Sequence, residues 1–156
     1  MRGPTAIARG SQILALTILL SGCQALPSKQ EGEARGVIFL RAEHCLSEYL
    51  RELRIVYPGP CLTVTGINGT AATPRPDGFI EVPVRQPVEI TAECYYRHLD
   101  GSEQAGSRTT VSLALAADRF TRAGLRWYLH AHTQAWRTTG CEPTLSRSIY
   151  PTYRSD

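Results

Sequence analysis

The strongest candidate for chemistry is the pair His130 and His132 in the stretch "YLHAHTQAW". On an extended backbone, residues two apart point the same way, so both imidazoles could meet one metal ion or one anionic ligand. Alternation places Trp127, Leu129, Ala131, Thr133 and Ala135 on one face, and Tyr128, His130, His132, Gln134 and Trp136 on the other. The second face is expected to be wet. No third ligand stands nearby in sequence, so a solvated sheet face is a stronger reading than a metal site, and no metal or cofactor is expected. Tyr128 and Trp136, joined by Tyr95 if its strand pairs nearby, would give an aromatic patch for a partner or a sugar. The competing reading buries these aromatics against a helix or the N-terminal tether. If a surface binds, Tyr128, His130, His132 and Trp136 are the residues selected.

Other chemistry is harder to place. The chain contains no G-x-S-x-G elbow, no H-E-x-x-H helix and no glycine-rich phosphate loop. Glu89 and Glu93 share a strand face, but such spacing suits ordinary solvated charges better than an acid and base pair. The chain is read as having no catalytic residues and as not being an enzyme. Five cysteines are present. Cys23 directly follows an apolar run and stands apart. Cys45, Cys61, Cys94 and Cys141 are an even number, which an oxidising compartment turns into two disulfides with three possible pairings. Cys45 with Cys61 and Cys94 with Cys141 is the preferred set; a zinc site is the rival, but no C-x-x-C spacing supports it.

The elements that must hold these residues change character along the chain. Residues 24 to 35, "QALPSKQEGEAR", are polar with proline and glycine and read as a flexible tether. "GVIFLRA" suits a short strand. In "AEHCLSEYLRELRIVY" the residues Ala42, Cys45, Leu46, Tyr49, Leu50 and Leu53 recur at steps of three and four, the pattern of one amphipathic helix stopped by "PGP" at Pro58 to Pro60. A strand pair is the alternative. Beyond Cys61 the stretches "CLTVTGI", "GFIEVPV", "PVEITAECYY", "TTVSLALAA" and "LRWYLHAHTQAW" are β-branched, aromatic and mostly alternating. In one of them Val88, Ile90, Ala92 and Cys94 share a face, so Cys94 points inward. Asn68-Gly69, "PRPDG", "LDGSEQAGS" and Gly124 supply turns, and "NGT" at Asn68 is read as a turn rather than a glycosylation site. The expected fold is mainly β, an antiparallel β-sandwich with one amphipathic helix near its start.

The first residues have a cationic start at Arg2 and Arg9, an apolar core from Ile13 to Leu20 and small residues after it, as a secretory signal does. The apolar core is far shorter than the roughly 20 residues a membrane span requires. Leu20-Ser21-Gly22-Cys23 resembles the lipobox of bacterial lipoproteins. The resemblance implies cleavage before Cys23 and lipidation there by a diacylglyceryl group and an N-acyl chain such as palmitate. It also implies an outer-membrane address on the periplasmic side, because Gln24 stands where inner-membrane lipoproteins tend to carry aspartate. Several acyl chains on one residue hold a protein to a membrane where a single chain binds only marginally. The implied division is 1–22 signal peptide, 23–35 lipidated tether and 36–156 one β-rich domain. Further along, "TVTGINGT", "GFIEVPVRQPVEITAECYY", "TVSLAL", "RWYLHAH" and "TTGCEPTL" resemble small bacterial lipoproteins with a PEGA-like β-sandwich, from about Cys61 to Leu145. Arg85-Gln86-Pro87 departs from the proline and glycine such a repeat carries before its strand. This likeness implies a binding or surface-associated module.

Removal of the first 22 of 156 residues leaves 134, the size of a single domain. Discounting Arg2 and Arg9 reduces the formal charge of +3 to about +1, which offers nothing to nucleic acid or to an anionic bilayer. The functional expectation is a non-catalytic envelope protein that is held to the membrane by its lipid and docks on another envelope protein. The alternative is a periplasmic ligand-binding or inhibitor protein using the aromatic and histidine face. The tail "SRSIYPTYRSD" has two tyrosines and little else to bury.

Overall fold

The computed structural model describes residues 25–132 and 141–149. Two sheets enclose the core. One has the order β5-β1-β8-β9, built from β1 (Val37–Arg41), β5 (Phe79–Pro83), β8 (Arg126–His132) and β9 (Glu142–Ser146). The other has the order β2-β3-β6-β7, from β2 (Glu43–Cys45), β3 (Gly59–Ile67), β6 (Val88–Arg97) and β7 (Thr109–Leu115), with the short β4 (Thr70–Ala71) folded back on β3. The fold is mainly β and sandwich-like, as the alternating stretches predict. Among the described residues all strand pairs are antiparallel except β1 with β8, whose register aligns Phe39 with Arg126 and Leu40 with Trp127. A parallel pair demands a long crossover, and here the chain builds the whole second sheet between its two partners.

Strand alternation decides what is buried. Ile38, Leu40, Ile80, Val82 and Leu129 from the first sheet meet Leu62, Val64, Val88, Ile90, Ala92 and Cys94 from the second in one apolar core. Cys94 is disulfide-bonded to Cys141, just before β9, so one covalent link joins the two sheets across that core. Cys45 and Cys61 lie directly opposite each other on β2 and β3 and form the second disulfide. The preferred pairing is therefore the one observed.

Two N-terminal expectations are corrected. The stretch read as a flexible tether contains a helix, α1 (Lys29–Arg35), packed against the first sheet. Its cause is local: Ser28 caps the helix by accepting from the Glu31 amide, and Gly36 closes it in the left-handed conformation. Pro27 is fully buried. A Cβ on Gly32 would stand 2.5 Å from Gly124 Cα and 2.7 Å from Phe39 Cε2, so the helix approaches the sheet at a contact only glycine permits. Arg75 then spans the helix and sheet, bonding Glu31 at 2.7 Å and Glu81 at 2.8 Å with its guanidinium 5.2 Å from the Phe39 ring centre. We predict that Gly32→Ala lifts α1 from the sheet and costs about 1–3 kcal/mol, the range for overpacking; urea unfolding beside the unaltered chain is the check.

The amphipathic helix is also shorter than its periodicity suggests. Residues 43–45 pair with β3 instead, and α2 spans only Leu46–Glu52. The Cys45–Cys61 disulfide and the strand pairing hold Cys45 extended, so it serves as the residue preceding the helix. The buried residue of α2 is Ser47, seated on Gly59, whose added Cβ would fall 2.3 Å from the Ser47 amide nitrogen. Leu53 is left half exposed. A close backbone contact, not an apolar stripe, docks this helix.

Candidate functional site

The histidine face of β8 is the outer face of the first sheet, and at Tyr128 and His130 it is covered rather than wet. Tyr128 is half-buried and His130 is 5% exposed. His44, from β2, packs edge-on against His130 with ring centres 4.5 Å apart and lies 5.6 Å from Tyr128; Phe79 closes the group at 6.3 Å from Tyr128. The chain after β9 supplies the cover. His130 Nε2 lies 2.9 Å from the Ser148 carbonyl, to which it donates, and 3.1 Å from Ser146 Oγ. His44 has its own backbone hydrogen bond with Ile149. Two histidines from different strands thus fasten residues 146–149 onto the sheet. His132 belongs to β8, but its side chain, like Trp136, lies outside the described residues, as do Cys23 and the signal segment.

Both rings resist protonation. Burial, then the neighbouring His130 and Arg41, push the His44 imidazole down to about 4, while burial lowers that of His130. A neutral His130 carrying its proton on Nε2 keeps the bond to the Ser148 carbonyl. The geometry suits a structural clasp, in which one ring nitrogen is already taken by main chain.

Tyr95 does not join this face. Its strand, β6, is in the other sheet, and Tyr95 points to that sheet's outer side, where it packs on the Cys45–Cys61 pair. Its hydroxyl donates to Glu43 Oε1 at 2.7 Å and lies 3.2 Å from Thr63 Oγ1; Arg97 Nη2 bonds the same hydroxyl at 2.8 Å and the same carboxylate oxygen at 2.6 Å. The guanidinium of Arg108 lies 4.2 Å from the Tyr95 ring centre and that of Arg97 5.3 Å, while Arg108 is paired with Glu93 and Glu103. Burial and the adjacent Glu43 hold the Tyr95 hydroxyl above its usual range, although the Thr63 bond opposes this. Burial pushes the Glu43 carboxyl up, but the Tyr95 bond and the Arg97 and Arg41 guanidinium groups together outweigh it and hold the group below its usual range. Glu43 and the sulfurs of Cys45 and Cys61 also lie within 4.8 Å of one another, but both sulfurs are committed to the disulfide and are not thiolate ligands. We predict that Tyr95→Phe costs about 1–2 kcal/mol, because Glu43 and Arg97 lose a shared partner in a partly buried network. Chemical denaturation reads the change.

A third feature escaped the sequence reading. Between α2 and β3 the chain exposes apolar side chains: Leu53 at 50%, Val56 at 83% and Tyr57 at 75%. Val56 borders an open cleft of about 390 Å³ whose other wall is the turn carrying His98, Leu99, Asp100 and Ser102. Arg51 fastens the two sides by bonding the Leu99 carbonyl. The signal was in "LRIVYPGP", where Ile55, Val56 and Tyr57 fall just beyond the last turn that could bury them. Glu43, His44, Arg97 and Arg108 were likewise not selected, since their importance comes from neighbours distant in sequence.

No protein-family model, curated protein or solved structure matches this chain.

Proposed function

We propose that this chain is a lipid-anchored, non-catalytic protein of the bacterial outer membrane, facing the periplasm, that docks on another envelope protein. Leu20-Ser21-Gly22-Cys23 and Gln24 support the anchor and its address. The two disulfides suit an oxidising compartment. The docking reading is carried by the exposed Leu53, Val56 and Tyr57 beside the cleft at His98 to Ser102, an apolar surface of the kind that marks protein contacts. The alternative, a periplasmic ligand-binding or inhibitor protein using Tyr128, His130, His132 and Trp136, has less support because His130 is buried and bonded to main chain.

Crosslinking in intact cells, followed by mass spectrometry, tests the reading. One dominant envelope protein should be captured by the unaltered chain and lost from Val56→Asp, whose exposed position leaves the core untouched. In parallel, Cys23→Ser should abolish labelling by an alkynyl palmitate analogue and release the protein from the membrane pellet. Capture of abundant bystanders alone, unchanged by Val56→Asp, rejects docking. Unchanged labelling of Cys23→Ser rejects the anchor.

A further inference from the structure

A lipid-anchored domain can stand off its membrane only by the length of chain between the acylated residue and the first residue that the fold holds. Here that length is short. Pro27 is fully buried, Arg126 Nη2 donates to its carbonyl at 2.9 Å, and Ser28 caps α1 directly after it. Cys23 stands four residues before Pro27. Whatever conformation it takes, a link of that length spans at most about 14 Å. A domain of 134 residues has a radius of gyration of about 14 Å, so the link reaches only half-way across the body it carries.

The side on which the link enters is also fixed. Gly32 of α1 sits on Phe39 and Gly124, and Phe39 points away from the core that Ile38 and Leu40 enter, so α1 lies on the outer face of the first sheet. Ser112 marks the opposite side. Its neighbours Val111 and Leu113 pack toward the core and leave it exposed on the outer face of the second sheet. Leu26 is 56% exposed, and neither "QALPSKQ" nor "RFTRAGLR", the segments around the contact of α1 with Gly124, contains a carboxylate. Arg119 and Arg122 are exposed there, behind Asp118; Lys29 is exposed and paired with Glu33 at 3.3 Å.

We infer that the start of α1 and residues 119–126 rest on the phospholipid headgroups, and that the short link holds them there with the outer face of the second sheet turned to the periplasm. The inference rests on the lipid-anchor reading above and extends it. With its acyl chains in the hydrocarbon, Cys23 sits at headgroup level, and Pro27 stays within about 14 Å of it. Turning the second sheet to the bilayer would put both sheets, about 10 Å apart, and their outer side chains between Pro27 and the headgroups, roughly 20 Å of protein. Leu26 then meets the interface beside the acyl chains, and Arg119 and Arg122 bring positive charge to the phosphates.

Fluorescence quenching of the full lipidated chain in phosphatidylcholine–phosphatidylglycerol vesicles tests it, with a nitroxide-headgroup lipid as quencher. A fluorophore on Thr121→Cys should be quenched about threefold or more relative to one on Ser112→Cys; both positions are exposed. Inserting about 12 Gly and Ser residues between Gln24 and Ala25, a flexible addition, should reduce that ratio about twofold or more. The mass of the intact chain reads lipidation separately. An unacylated Cys23 overturns the anchor and this inference together. Equal or reversed quenching of an acylated chain, or a ratio unmoved by the insertion, overturns this inference alone. In intact cells a photoreactive side chain replacing Thr121 should capture lipid, and capture of an envelope protein there also overturns it.

Discussion

Replacing Cys94 and Cys141 together by alanine is expected to lower stability by about 4 kcal/mol and the melting temperature by roughly 10–15 °C. The disulfide closes a sequence separation of 47 residues, against 16 for Cys45 and Cys61, for which the same chain-entropy relation gives about 3 kcal/mol. The larger effect also has a structural component. Cys94 is 1% exposed in the core, and its bond ties β6 to the segment entering β9 across the two sheets. Alanine avoids adding a buried hydroxyl. Equilibrium urea unfolding followed by far-ultraviolet dichroism should show a lower midpoint and a steeper denaturant dependence, because the unfolded chain is released from its largest loop. If removing Cys45–Cys61 proves more damaging, the strand pairing of β2 contributes more than the link between sheets.

Acidification is expected to weaken the fold through the histidine clasp before carboxylates dominate. His44 has a folded-state pKa near 4, below the unfolded value of about 6.5, and His130 is lowered in the same direction. Between those values the unfolded chain binds more protons than the folded one, so stability is fully present above about pH 6.5 and falls as pH drops toward 4. The His44 contribution is on the order of 1–2 kcal/mol after allowing for solvent screening of a partly exposed ring. The charges that act on the pair are those of the two rings themselves and of Arg41. His44→Phe keeps an aromatic ring against His130 and should flatten the dependence between pH 6.5 and 4.5. Urea unfolding at a series of pH values measures both slopes; an unchanged slope in His44→Phe would show that the clasp does not titrate. Loss of hydrogen-exchange protection at residues 146–149 should accompany the fall, since both rings bond that segment.

The strands beyond Cys61 were legible because their pattern is strictly local. In β6 the alternation of Val88, Ile90, Ala92 and Cys94 with Glu89, Thr91 and Glu93 matches the pleat, and the burial follows it. The same logic misled at β8. Alternation identified the two faces correctly, but it cannot say whether the second is covered, and the cover of His130 comes from Ser146 and Ser148, 16 and 18 residues away. In α1 the evidence was present and unread: Ser28 followed by Glu31 is a helix-start signature, and Gly36 is a stop. In α2 a good helical periodicity yielded to a covalent constraint at Cys45.

What the sequence determined by itself is whatever depends on near neighbours: the mainly β class, the inward face of β6, the turn at Asn68-Gly69 and an even set of four cysteines. The preferred cysteine pairing also agreed with the structure. Only the tertiary structure decided the parallel meeting of β1 and β8, the clasp of His44 and His130 and the Tyr95 network. Each of these joins residues whose separation along the chain carries no periodic signal. Their energies come from burial and hydrogen bonds that exist only after the two sheets have closed, which is why local pattern could not foresee them.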